Sequence, residues 1–107
     1  MCGRFTQTQP GTAVAATFAL PDVPTLEPRH NIAPSQPILA VTGTDTGTAL
    51  RCFQWGLVPS WAKEPKIGSR MINARSETVA EKPSFRAAFK RRRCLIVADG
   101  FYEWQKV

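Results

Sequence analysis

Residues 38–57, "ILAVTGTDTGTALRCFQWGL", carry the reading on which the fold turns. Residues 38–42 and 49–57 are rich in β-branched, aromatic and other apolar side chains, which suit a half-buried pleated surface. Between them, Gly43-Thr44-Asp45-Thr46-Gly47 has the composition of a turn. The stretch therefore predicts a β-hairpin. A second β-rich passage lies near the end, "CLIVADGFYEW" over residues 94–104. Its first five residues suit a buried strand. Asp99-Gly100 is the strongest two-residue hairpin signal in the chain, and Phe101-Tyr102-Glu103-Trp104 reads as the return strand. By the two-residue period of a strand, Glu103 shares a face with Phe101, while Tyr102 and Trp104 share the other.

Short helices complete the pattern. Residues 12–18 fit a helix with Val14 and Phe18 one turn apart on its buried side, ended by Pro21 and Pro24. Residues 62–82 are polar, basic and irregular. Ser84 is placed to cap a second helix that carries Phe85, Ala88 and Phe89 on one face. Lys90 to Arg93 stand at its C-terminal end, where cations complement the helix dipole. Nine prolines punctuate the rest, and no repeat or low-complexity tract appears. The fold class is α+β, with many short strands.

The chain has 107 residues and a net charge of +6, with 43% hydrophobic and 21% charged residues, the balance of a globular domain. The charge is uneven. Ten basic and three acidic residues lie between Lys63 and Arg93, against four basic and five acidic residues elsewhere. That split fits a polyanion-binding segment, since Lys and Arg release counterions condensed on phosphates, and fits equally a solvated basic face. Cys2, Cys52 and Cys94 are far apart and form no CxxC pair, which excludes a zinc cluster or a disulfide framework and points to a reducing compartment. The strongest apolar run, residues 94–98, is too short to span a membrane. A cytoplasmic protein is expected, with no membrane, metal or cofactor. The chain stops three residues past Trp104 with no closing element, so a truncated domain is expected.

Several residues can carry chemistry. In "MCGRF", loss of Met1 would expose on Cys2 both an α-amine and a thiol. An aldehyde condenses with such an amine to an imine, and the thiol closes on the imine carbon to give a five-membered thiazolidine. The same terminus also suits an acyl-transfer nucleophile whose amine acts as base. A structural cysteine is the plain alternative. Trp61, in "WGLVPSW", can stack on an unpaired base or fill a core. In "MINARSET", Asn73 and Arg75 stand two residues apart and can offer an amide to a sugar and a guanidinium to its phosphate, although Asn is also a common turn former. Glu103, among aromatic neighbours, suits a partly desolvated general acid or base, or an ordinary salt bridge.

Taken in order, "MCGRF", "NIAPSQP", "WGLVPSW", "MINARSET" and "CLIVADGFYEW" resemble the SOS-response-associated peptidase (SRAP) family of abasic-site processing proteins. The resemblance runs over residues 1–107 and implies the N-terminal portion of an SRAP domain, an irregular, barrel-like β-rich fold with short helices. It implies a monomeric, nucleoid-associated protein that binds abasic sites in single-stranded DNA. Cys2 would be the nucleophile that forms a thiazolidine crosslink with the ring-opened sugar. Asn73 would orient the sugar and the amine, and Glu103 would move protons. Arg4 and Arg75 would hold flanking phosphates, with Pro34 and Trp61 shaping the kinked strand. The family also has a histidine in its second half; the single histidine here, His30, does not match it. Two other activities remain open at this point: a cysteine peptidase that removes its own Met1, and a non-covalent single-strand binding module.

Overall fold

The computed structural model describes residues 2–106. In chain order it comprises β1 (Phe5–Gln7), α1 (Gly11–Phe18), β2 (Arg29–Ile32), β3 (Pro37–Thr44), β4 (Gly47–Gln54), a 3-10 turn (Pro65–Arg70), α2 (Arg86–Arg91), β5 (Leu95–Ile96) and β6 (Gly100–Phe101). The expected hairpin is β3 and β4, paired in unbroken antiparallel register from Pro37↔Gln54 to Thr44↔Gly47. Its loop is shorter than the composition suggested. Asp45 and Thr46 alone make the reversal, and Gly47, at φ 148°, absorbs the backbone angle that a side chain would resist.

The apolar run of β3 has a structural reason. Successive strand side chains point to opposite faces. Ile38 packs with Phe5 and Ile32 in one core cluster, whereas Val41 packs with Val14 and Val97 in another. β3 is thus buried on both sides and divides the two clusters. Each is small. Phe5 and Trp55 tilt against each other with ring centroids 5.3 Å apart, and half-buried Cys2 lies against the same cluster.

Two antiparallel sheets result, with strand orders β2-β1-β6 and β4-β3-β5. The α+β class holds, but no closed barrel forms among the described residues. The Asp99-Gly100 hairpin is also corrected. β5 pairs with β3 in one sheet, while β6 pairs with β1 in the other, so the chain passes from sheet to sheet instead of turning back. A type I′ turn needs positive φ at both central residues, and neither Asp99 nor Gly100 has it. The Asp99 carboxylate is instead held by β1 and the residues after it, accepting from the Thr6 hydroxyl, the Thr8 amide and hydroxyl, and the Gln9 amide. A long-range contact overrides the local turn signal.

Other departures have similar causes. α1 ends at Phe18, before either proline, because Ala19 adopts a left-handed conformation (φ 52°, ψ 47°) and the Leu20 amide bonds back to the Ala15 carbonyl at 3.0 Å. α2 has Phe85, not Ser84, at its cap position, no side-chain cap bond and no buried residue. Residues 94–98 are not a buried strand: Leu95 is 62% and Ile96 44% exposed, and Val97 alone enters the core. Of the expected return strand, residues 101–104, only Phe101 pairs in a sheet, joined there by Gly100 of the expected turn.

Candidate active site

The cleft around Cys2 is built from the end of β4 outward. Gly56, at φ 131°, follows Trp55, and a Cβ there would sit 2.5 Å from the Gly68 carbonyl oxygen. Only glycine lets the 3-10 turn approach this closely. The approach carries the next residues into place: the Leu57 amide donates to the Met71 carbonyl at 3.0 Å, and the Trp55 indole N–H donates to the Ile72 carbonyl at 2.9 Å. Asn73 follows directly. Its Nδ2 donates to the Cys2 carbonyl at 2.8 Å, across 71 residues of sequence.

These groups line a groove of about 860 Å³ with largely apolar walls, including Phe5, Ile38, Trp55 and Phe101 beside Cys2 and Asn73. The Cys2 thiol lies 3.5 Å from the Arg4 carbonyl oxygen as its donor. The arrangement holds a half-buried thiol and its own backbone in a fixed relation to a side-chain amide, beside an apolar space large enough for a sugar ring. Cys94 lines the groove as well.

The remaining expected site residues are spread more widely. Arg4 is exposed and donates from Nη1 to Asn31 Oδ1 at 3.1 Å. Arg75 is exposed, and its carbonyl accepts from the Thr78 and Val79 amides at 3.2 and 2.9 Å, starting the turn after Asn73. Pro34 is half-buried in a turn where Ser35 takes φ 70° and the Gln36 amide reaches the Ala33 carbonyl at 3.2 Å. Trp61 is 59% exposed, so the core alternative for it is set aside. It lines a different hollow, with Lys63, Lys66 and Arg70.

Glu103 corrects an expectation. It is exposed, and its neighbours Tyr102 and Trp104 are 54% and 101% exposed, so they do not shield it from water. Glu103 is outside the groove lining. Tyr102 is nevertheless fixed, donating from its hydroxyl to the His30 carbonyl at 2.7 Å and from its amide to the Arg4 carbonyl at 3.0 Å. His30 is exposed on β2, serving that contact through its backbone.

Sequence reasoning missed Asp99 as a site-building residue. Its carboxyl is held below the ordinary value of 3.8, first by the Thr6 hydroxyl and then by the Thr8 amide. It ties the strand that follows Cys2 to the segment that leads into Glu103. No local signal could have revealed it, because Thr6 is 93 residues away. Among the described residues, no group of three or more His, Cys, Asp and Glu side chains is arranged to hold a metal ion. Nor, among the described residues, is any helix long and apolar enough to cross a membrane.

Comparison with known proteins gives this geometry a context. The chain is 44% identical to the abasic site processing protein YoaM of Bacillus subtilis (strain 168), over all of this chain and 48% of that relative. It is 46% identical to the abasic site processing protein YoqW of the same organism, over all of this chain and 49% of the relative. A shorter match, 48% identical, links 53% of the chain to 18% of the abasic site processing protein HMCES of Xenopus tropicalis. The chain thus spans about half the length of the two Bacillus relatives. The family model described as SOS response associated peptidase (SRAP) matches residues 1–107. On that full-length match, the chain belongs to the SRAP family.

Proposed function

We propose that this chain recognises abasic sites in single-stranded DNA and captures them covalently through Cys2 after removal of Met1, which lies outside the described residues. An abasic sugar in its ring-opened form presents an aldehyde. The Cys2 amine would add to it and lose water to form an imine; the thiol would then add to the imine carbon and its proton pass to nitrogen, closing a thiazolidine. The observation that carries the reading is the Asn73 bond to the Cys2 carbonyl at 2.8 Å in an apolar groove. That bond fixes the backbone of the reacting residue, so the amine and thiol need little reorganisation. The relatives' printed role in abasic site processing supplies the substrate class.

Within this reading Asn73 orients the cysteine and the opened sugar, and Arg4 and Arg75 hold phosphates on either side. Pro34 and Trp61 shape the path of the strand. Glu103 would serve as a solvent-accessible proton carrier. The protein would act as a monomer in the cytoplasm, at the nucleoid.

The test is incubation with single-stranded DNA carrying one abasic site, followed by a denaturing gel. A retarded band seen with the wild type, and absent with undamaged DNA or with Cys2→Ala, supports covalent capture. A band that survives Cys2→Ala refutes it. Intact mass spectrometry run in parallel reports whether Met1 has been removed, because a retained Met1 converts the Cys2 amine to an amide and blocks the ring closure. Release of Met1 that depends on Cys2, without any DNA adduct, would favour the peptidase reading.

A further inference from the structure

The densest charge on the molecule lies outside the lining of the Cys2 groove, although Arg93 directly precedes Cys94, which lines it. Arg86, Lys90, Arg91, Arg92 and Arg93 line one hollow of about 610 Å³ beside Phe89. No acidic side chain lines it, and it shares no residue with the groove. All five cations are exposed. Helix chemistry explains only part of the cluster. Lys90 and Arg91 occupy the last turn of α2, where cations complement the dipole. Arg86 opens the helix, where the dipole disfavours a cation, and stands four residues from Lys90, a spacing at which like charges repel. Arg92 caps the helix, its amide donating to the Ala88 carbonyl at 2.7 Å, and Arg93 lies beyond it. No residue of α2 is buried among the described residues. Arg93 is held over the Phe89 ring, 5.6 Å from its centroid, which restrains one guanidinium in advance of any ligand.

We propose that this hollow binds phosphates of single-stranded DNA flanking the nucleotide at Cys2, as a second contact on the same strand. The choice of nucleic acid as the polyanion rests on the abasic-site reading above; the cluster itself rests on its geometry. Guanidinium groups suit the task because their planar forks meet phosphate oxygens two at a time. Each phosphate neutralised also releases counterions from the strand. Two separate contacts on one strand give the protein a grip on undamaged flanks that does not depend on the lesion.

The experiment compares the wild type with the triple variant Lys90→Gln, Arg91→Gln, Arg92→Gln. Glutamine keeps good helix propensity at exposed positions. The probe is fluorescently labelled, undamaged single-stranded DNA, longer when extended than the molecule's 46 Å longest dimension. Affinity is read by anisotropy between about 50 and 200 mM salt. With about 0.7 units of log-log slope per phosphate contact on a single strand, loss of three contacts lowers the slope by about 2 and weakens binding tenfold or more at low salt. An unchanged slope and affinity overturn the proposal, as does equal displacement of the DNA by polyglutamate, which would reveal a general anion surface. Should the triple variant melt earlier than the wild type, Arg93→Glu alone, past the helix cap, must reproduce the loss of affinity or the proposal fails. Failure of the abasic-site reading would show separately, as the absence of a Cys2-dependent covalent band with the wild type.

Discussion

Replacing Asp99 with alanine removes four hydrogen bonds at once, from the Thr6 hydroxyl, the Thr8 amide and hydroxyl, and the Gln9 amide. Bonds to a charged acceptor contribute about 1.5–3 kcal/mol each when sheltered. Asp99 is exposed, so water replaces much of what is lost, and we expect a total near 2 kcal/mol. For a domain of this size that lowers the melting temperature by roughly 10 °C. The loss has a pH signature. The folded-state carboxyl is held below its ordinary 3.8. Its stabilisation is therefore present above the unfolded value and is lost as pH falls through the folded one. The gap between wild type and Asp99→Ala should be full near neutrality and shrink below about pH 4. Thermal melts followed by far-UV circular dichroism at several pH values measure it. A variant that melts with the wild type at pH 7, or a gap that persists undiminished into acid, would refute the clasp. The same variant should also slow abasic-site capture, because the clasp joins the strand after Cys2 to the segment leading into Glu103.

Other consequences can be checked directly. Asn73→Ala removes the bond to the Cys2 carbonyl, about 1–1.5 kcal/mol of orientation; single-turnover crosslinking should slow roughly tenfold while affinity for undamaged DNA stays the same. Trp61→Ala, at a 59% exposed position, should leave the melting temperature unchanged. Each base stacked on the ring would contribute about 1–3 kcal/mol, so the variant's Kd for single-stranded DNA should rise at least fivefold. Gly56→Ala places a Cβ 2.5 Å from the Gly68 carbonyl at a φ of 131°. Urea titration should show a loss of about 2–4 kcal/mol, and a near-neutral result would mean the close approach of the 3-10 turn is not required.

The parts of the fold legible in the sequence are those set by neighbours along the chain. The β3–β4 hairpin follows from two apolar runs flanking polar turn residues, and α1 from the one-turn spacing of Val14 and Phe18. The site was legible in proportion to its chemistry. Cys2 and Asn73 could be named from residue type, motif and family resemblance, and the structure joins them at 2.8 Å. Glu103 could also be named, but its surroundings could not: aromatic neighbours in sequence suggested shelter, and those side chains are themselves exposed.

What the tertiary structure decided is everything that depends on partners far away in sequence. Asp99-Gly100 carries a turn signal, yet Thr6, Thr8 and Gln9 hold the carboxylate and the strand crosses between sheets. Residues 94–98 read as a buried strand, yet Leu95 and Ile96 pair at the edge of the β4-β3-β5 sheet and both are exposed. Sequence alone determined which segments were β-rich and which residues carried reactive groups, because propensity and chemical type are local properties. Burial, edge position and the meeting of Asn73 with Cys2 are properties of the folded chain, set by contacts spanning 71 to 93 residues that no window of sequence contains.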